Sequence, residues 1–139
     1  MTKRVIKLNL IAEVLQDYLS EAFHQPVKLT GSHFFGNWKS DSDYDFFTMD
    51  SVEIQWRLEA LGFRKLDKRY NYNKVDELVR AVYRRDNVDI QLVTDMALKN
   101  QVQEMIFNND MLRELSWKLS KSTRYLLWQG LLETLKEQM

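Results

Sequence analysis

The apolar residues of this chain change their spacing along the sequence, and this change is the strongest constraint on its fold. Over residues 10–23 they recur at helical spacing, and Pro26 ends this segment because proline disfavours helix at the preceding residue. Short runs rich in β-forming residues favour strands after this point. The predicted strands are 27–30, 43–47, 63–72, 78–84 and 88–93. The last two are close enough in sequence to form a hairpin.

Helical spacing returns between the predicted strands and again in the C-terminal third of the chain. Asp50, three residues before a glutamate, resembles the start of a capping box, and Gly62 suits the C-terminal end of the same helix. From residue 94 onward the pattern is helical, with breaks at 108–110 and 120–122. This order of elements predicts an α+β (mixed α/β) domain.

The composition is typical of one domain without disulfide bonds. The 139 residues include no cysteine, one proline and four glycines, so we expect a single domain over 1–139. No apolar run reaches the ~20 residues of a membrane span. The N-terminal segment carries acidic residues, unlike a signal peptide. We therefore expect a cytoplasmic protein that does not contact a membrane.

Three aspartates interrupt predicted strands whose neighbouring residues are apolar or aromatic. Asp43 and Asp45 lie two residues apart, so a strand places both carboxylates on one face, and Asp89 interrupts the strand 88–93 in the same way. If these strands pair in one sheet, the three carboxylates converge. Such a cluster repels itself in a partly dry cleft unless a divalent cation binds it. Oxygen ligands favour Mg²⁺ or Mn²⁺.

A glycine and a hydroxyl residue, Gly31 and Ser32, follow the strand 27–30. Such a turn presents backbone N–H groups to an anion at the start of a following helix, and phosphate is the anion we expect. A phosphate-binding turn beside a carboxylate-bound Mg²⁺ is suited to chemistry on a nucleoside triphosphate.

The segment GSHFFGNWKSDSDYDF resembles the signature of the minimal nucleotidyltransferases, which belong to the DNA polymerase β-like nucleotidyltransferase superfamily. That signature contains a Gly-Ser pair, a further glycine, and then Asp-Ser-Asp-x-Asp before a hydrophobic residue. The matching residues are Gly31, Ser32, Gly36, Asp41, Ser42, Asp43, Asp45 and Phe46. The family also has a third carboxylate between hydrophobic residues of a later strand, where this chain has Asp89.

The resemblance implies a nucleotidyltransferase fold, a small mixed sheet flanked by helices, with a catalytic core over 27–93 and a helical part over 94–139. It implies transfer of a nucleoside monophosphate from an NTP to a hydroxyl acceptor, with release of pyrophosphate. The implied catalytic residues, which are also the ligands of Mg²⁺ (or Mn²⁺), are Asp43, Asp45 and Asp89. The implied nucleotide-binding residues are Gly31, Ser32, Ser42 and Lys39. Lys39 is included because many relatives carry basic residues in the Gly-Ser turn, where this chain has no arginine.

The acidic motif also has other interpretations. An EF-hand does not fit, because its sixth position is Phe46 and its twelfth is Val52. A haloacid-dehalogenase-type phosphatase shares Asp-x-Asp but has no use for the Gly-Ser turn. The competing hypothesis is an interaction protein of the nucleotidyltransferase fold, such as one partner of a toxin–antitoxin pair, with little or no catalysis. The C-terminal helices are the candidate surface for a homodimer or protein partner, and the acceptor is a small molecule, a protein or RNA.

The remaining polar and aromatic residues give weaker signals. We predict that His33 lies at the surface and that Arg84 is solvated at the hairpin. Trp38, Tyr70 and Tyr72 are the candidates for stacking on a base.

The formal net charge of zero conceals two regions of opposite charge. Residues 41–53 contain five acidic side chains and no basic one, whereas residues 57–85 contain nine basic and four acidic side chains. A zero total argues against indiscriminate binding of nucleic acid. The segregation suits a triphosphate with its Mg²⁺ better than a long nucleic acid.

Overall fold

A computed structural model describes residues 10–66 and 77–138, and over these ranges the chain forms six helices and a five-stranded sheet. The helices are α1 (Leu10–Phe23), α2 (Gly31–Phe35), α3 (Val52–Ala60), α4 (Met96–Asn108), α5 (Asp110–Lys118) and α6 (Lys121–Glu137). The strands are β1 (Val27–Thr30), β2 (Tyr44–Met49), β3 (Arg64–Lys65), β4 (Val79–Arg85) and β5 (Val88–Val93).

This architecture confirms the predicted α+β class. The predicted strand 63–72 is represented by β3 alone, and its part beyond residue 66 lies outside the described residues. The predicted breaks at 108–110 and 120–122 separate α4, α5 and α6. Over the described ranges, no helix combines the length and the apolarity needed to cross a membrane.

The sheet is mixed, with the strand order β1-β2-β5-β4-β3. Among the described strands, β2 and β5 pair in parallel, and the other three neighbouring pairs are antiparallel. The predicted hairpin is confirmed as β4–β5, whose turn includes Asp86 in the left-handed conformation at φ 54°. Because β2 and β5 run in the same direction, their N-terminal halves lie side by side at one end of the sheet.

The two faces of the sheet pack against different helices. One face presents a buried apolar row to α1 and α3, formed by Leu29, Phe46, Ile90 and Tyr83. The opposite face carries Phe47 and Val82, which pack with Met96 of α4, and α4 in turn packs against α6. Burying each large side chain of this kind stabilises the fold by roughly 1.5–3 kcal/mol. The fold is therefore three-layered, with the C-terminal helices on the face that carries the acidic residues described below.

The outer edge of β1 is closed by two side chains of α1. Ser20 Oγ accepts a hydrogen bond from Val27 N at 2.9 Å, and Gln16 Oε1 accepts one from Leu29 N at 2.6 Å. These backbone N–H groups point away from β2, so they need partners outside the sheet. The amphipathic helix α1 therefore covers the core and also satisfies the edge strand.

The N-terminus of α3 differs by one residue from the sequence prediction. Ser51, and not Asp50, is the N-cap, since Ser51 Oγ accepts from Ile54 N at 3.1 Å. Asp50 N donates to Val93 O at 2.9 Å and so continues the β2–β5 ladder, which delays the start of the helix. Gly62 follows the helix at φ 87°, which confirms its predicted place at the C-terminal end.

The capping arrangement predicts a difference between two adjacent substitutions. Ser51→Ala removes the acceptor for the Ile54 N–H and is expected to lower the free energy of unfolding by about 1 kcal/mol. Asp50→Ala removes only a side-chain contact with Gln55 and is expected to cost less. Chemical denaturation of the two variants measures both values, and a larger loss for Asp50→Ala would contradict the assignment.

Candidate active site

A row of polar side chains crosses the sheet on the face that α4 and α6 cover. Direct neighbours on successive strands project to the same face of a sheet. The register places five such residues in line from β1 to β3: Thr30, Asp45, Asp89, Arg84 and Arg64. The predicted convergence of Asp45 and Asp89 on one sheet is thereby confirmed.

Arg84 binds two of the three predicted catalytic aspartates. Its Nη1 lies 3.0 Å and 2.9 Å from the two carboxylate oxygens of Asp89. Its guanidinium also donates to Asp43, at 3.2 Å from Nη1 and 3.1 Å from Nη2. The prediction of a solvated Arg84 is wrong, because its register opposite Asp89 turns the side chain towards the acidic residues.

The groups around Asp89 shift the pKa of its carboxyl group. Burial raises the pKa of Asp89 above its ordinary value, and the nearby charge of Asp43 adds to this rise, whereas Arg84 and a hydrogen bond with Asp45 oppose it. The hydrogen bond with Asp43 is the largest cause of the raised pKa of Arg84. The guanidinium therefore stays charged and offsets part of the repulsion among the three carboxylates.

Gly31 allows the Asp45 carboxylate to occupy its position. Gly31 begins α2 at φ 70°, a conformation that residues with a side chain rarely adopt. A Cβ added there would overlap Asp45 Oδ2 and lie 3.1 Å from Asp45 Cβ. The glycine of the predicted phosphate-binding turn is thus in direct contact with one of the predicted metal ligands.

A cavity of about 380 Å³ connects this acidic region to the C-terminal helices. On the sheet side, its lining includes the Gly-Ser turn and all three aspartates: Gly31, Ser32, Asp43, Asp45 and Asp89. On the helical side, its lining includes two cationic and three aromatic side chains: Lys99, Arg124, Trp117, Tyr125 and Trp128. Carboxylates and cations therefore face one volume from opposite walls.

Lys99 is the site residue that sequence reasoning missed. It is only 4% exposed, and its Nζ lies 4.4 Å from the ring centroid of Trp128 and 5.4 Å from that of Phe47. Arg124 is four residues before Trp128 on α6, which places both on one face of that helix. The available signal was the periodicity of α4, since Lys99 falls on the buried stripe that includes Val102.

The loop of the signature is held by stacked aromatic rings. His33 is buried at 6% exposure, and its ring stacks on Tyr44 at 4.2 Å and on Trp38 at 5.4 Å between centroids. The prediction that His33 lies at the surface is therefore wrong, because these two rings enclose it. Trp38 contacts His33 within the loop, and its role in base stacking stays a prediction. Tyr70 and Tyr72 lie outside the described residues.

The other two predicted nucleotide-binding residues form a turn in the same loop. Lys39 N donates to Ser42 Oγ at 2.7 Å, and Ser42 N donates to Lys39 O at 3.0 Å. His33 Nε2 lies 3.2 Å from Ser42 O and joins this turn to α2. The turn orders the chain just before Asp43, and phosphate binding by Lys39 and Ser42 stays a prediction.

The three aspartates are the candidate ligands of a divalent cation. Within residues 10–66 and 77–138, no three or more His, Cys, Asp or Glu side chains are arranged to hold a metal ion. Arg84 engages both oxygens of Asp43 and both of Asp89. Three carboxylates are a suitable donor set for Mg²⁺ or Mn²⁺. The donor set therefore fits such an ion by its chemistry, whereas its arrangement within the described ranges does not hold one.

Comparison of the chain with protein-family models, with curated proteins and with solved structures finds no match. The likeness to nucleotidyltransferases consequently depends on the signature residues and on the geometry around Asp45 and Asp89.

The contact between Gly31 and Asp45 predicts a large effect of a small substitution. Gly31→Ala is expected to cost about 1–2 kcal/mol for the left-handed backbone and roughly 1–3 kcal/mol more for the overlap with Asp45. Gly62→Ala is the matched control, because Gly62 also has a positive φ but no atom within 3.7 Å of the added Cβ. Chemical denaturation measures both, and Asp45→Ala, which removes the carboxylate but keeps the Cβ 3.1 Å away, should remove most of the additional cost of Gly31→Ala. Equal losses for the two glycine variants would disprove the contact.

The raised pKa of Asp89 predicts how stability changes with pH. The folded protein holds this proton to a higher pH than the unfolded chain, whose Asp titrates near ~4. As the pH rises from the pKa of Asp89 in the unfolded chain to its higher pKa in the folded protein, the free energy of unfolding of wild type should therefore fall relative to that of Asp89→Asn. Denaturation midpoints of both proteins across mildly acidic pH test this, and a relative gain by wild type over that pH range would contradict it.

Proposed function

We propose that this protein is a Mg²⁺-dependent nucleotidyltransferase, which moves a nucleoside monophosphate from an NTP to a hydroxyl acceptor and releases pyrophosphate. The observation that carries the proposal is the placement of Asp45 and Asp89 as direct neighbours on two parallel strands. Asp45 also lies against the Gly31 turn. Asp43 reaches the same place through its shared partner, Arg84. These groups are the ones that the signature assigns to metal and phosphate.

In this proposal, Asp43, Asp45 and Asp89 hold Mg²⁺. When bound, the ion neutralises phosphate charge and lowers the pKa of the attacking hydroxyl. Gly31 lets the Asp45 carboxylate come close to the turn, and the turn offers its N–H groups and the Ser32 hydroxyl to the phosphates. The chain thus contributes mainly by positioning the substrate and by neutralising its charge.

The helical wall of the cavity supports a nucleotide as the ligand. Lys99 and Arg124 are suited to bind phosphate oxygens opposite the aspartates, and the aromatic rings of this wall are suited to contact the nucleoside. Trp128 lines the cavity, and its buried indole N–H has no hydrogen-bond partner within the described part of the chain. The cavity volume of about 380 Å³ falls in the range of small-molecule sites.

The second candidate is an interaction protein with the same fold and little catalysis. Apolar side chains on α5 and α6 favour it, since Met111 is 78% exposed, Leu126 66% and Leu115 41%. Exposed groups of this kind are suited to a protein partner or to a second copy of the chain. The two candidates differ in whether the acidic residues transfer a nucleotide.

Binding is tested first, by thermal unfolding with each of the four NTPs and Mg²⁺. A nucleotide at ~100 times its Kd should stabilise the wild type by about 2.7 kcal/mol. Asp45→Asn should lose most of this effect, whereas Asp41→Asn, which removes an exposed acid of the same loop, should retain it. An equal shift for wild type and Asp45→Asn would separate nucleotide binding from the proposed site.

Transfer is tested with α-labelled NTPs, Mg²⁺ and cell extract as the source of acceptors. We expect label on an acceptor with wild type and with Asp41→Asn, and none with Asp43→Asn/Asp45→Asn. Absence of transfer with all four NTPs, together with no thermal shift, would favour the interaction protein.

A further inference from the structure

Arg84 occupies the carboxylate oxygens that a divalent cation would need. Its four hydrogen bonds, at 2.9–3.2 Å, take up both oxygens of Asp89 and both of Asp43. A divalent cation at the same carboxylates would lie close to this guanidinium, and the two positive charges would repel each other. Metal binding and the Arg84 ion pairs therefore compete for the same acceptors.

The ion pairs are strong enough for this competition to matter. The Asp89 side chain is only 13% exposed, and that of Arg84 is 35% exposed, so solvent screens the pair incompletely. Arg84 is a positive group that directly bonds both Asp43 and Asp89. If Arg84 left these carboxylates without a new partner, its N–H donors would be unpaired and the two negative charges would be uncompensated. Both changes would raise the free energy of the folded protein.

A polyphosphate can replace the two aspartates as the hydrogen-bond partner of Arg84. A guanidinium binds phosphate oxygens in the same bidentate way as it binds carboxylates. Arg84 bonds Asp43 and Asp89, which line the cavity, so a ligand that reaches these carboxylates comes close to the guanidinium. If the triphosphate accepts the guanidinium while its metal ion takes the aspartates, every charged group keeps a partner of opposite sign.

We propose that Arg84 is an internal counterion of the acidic site, which a divalent cation and a polyphosphate displace together. This inference depends on the proposed function, because it assumes that the aspartates bind a metal ion. It makes binding cooperative: the metal alone competes with Arg84, whereas the metal–polyphosphate complex gives Arg84 a new partner. By linkage, each ligand then strengthens the binding of the other.

The proposal predicts effects of opposite sign for one substitution. Arg84→Gln should bind Mn²⁺ alone at least about fivefold more tightly than wild type, the lower end of usual coupling between ligands. The same variant should bind the preformed Mn²⁺–tripolyphosphate complex at least about fivefold more weakly. Electron paramagnetic resonance of free Mn²⁺ measures the first affinity, and isothermal titration calorimetry the second. A merely structural role would weaken both.

Two further variants serve as controls. Arg64→Gln removes the same charge about 10 Å from Asp89, two strand spacings along the polar row, and it should change both affinities much less than Arg84→Gln. Arg84→Lys keeps the charge but loses the bidentate fork, so it should fold even if Arg84→Gln does not. Arg84→Lys should bind Mn²⁺ alone more tightly than wild type does, but less tightly than Arg84→Gln does.

The outcomes separate this inference from the proposed function. If wild type binds Mn²⁺ and its complex but the Arg84 variants bind Mn²⁺ alone no more tightly, the counterion role is overturned and the metal site stands. If wild type binds neither Mn²⁺ nor the complex, both proposals are overturned. Opposite changes in the two affinities of Arg84→Gln support the inference.

Discussion

The pairing of Asp45 with Asp89 is the interaction on which the rest of the site depends. Like charges directly opposite each other on neighbouring strands destabilise a sheet, and burial of Asp89 adds to the cost. A neighbouring residue on each side of the pair lowers this cost. Arg84 on β4 neutralises Asp89, and Gly31 leaves room for the Asp45 carboxylate. A residue that is unremarkable in sequence, such as Arg84, is therefore as necessary to this arrangement as the aspartates.

The features that depend on local rules could be predicted from the sequence. The two-residue period of a strand is fixed by the backbone, so the side-chain directions of Asp45 and Asp89 followed from their positions in the predicted strands. Asp43 was predicted to begin the strand 43–47, but β2 begins at Tyr44, so Asp43 precedes the strand. The hairpin β4–β5 followed in the same way from its short turn. The N-cap of α3 was displaced by one residue, because Asp50 and Ser51 are both good capping residues and a ladder hydrogen bond to Val93 decided between them.

The features that depend on distant pairing could not be predicted in this way. Nothing in the local pattern places β2 beside β5, yet that pairing determines that Asp45 meets Asp89. The burial of Lys99 depends on α4 lying over Phe47 and on α6 supplying Trp128. Gln103 extends this arrangement, since its Nε2 donates to Leu29 O at 3.1 Å and joins α4 to β1 near the Gly31 turn. The C-terminal helices are thus part of the cavity wall and not an appendage to the sheet.

The closed edge of β1 also restricts how other molecules can approach the protein. With Val27 N bonded to Ser20 and Leu29 N bonded to Gln16, these amides cannot pair with an incoming strand unless α1 first gives them up. The strand at the opposite end of the sheet, β3, is two residues long within the described chain and offers little template for extension. Association by sheet continuation, whether productive or aggregating, is disfavoured at β1.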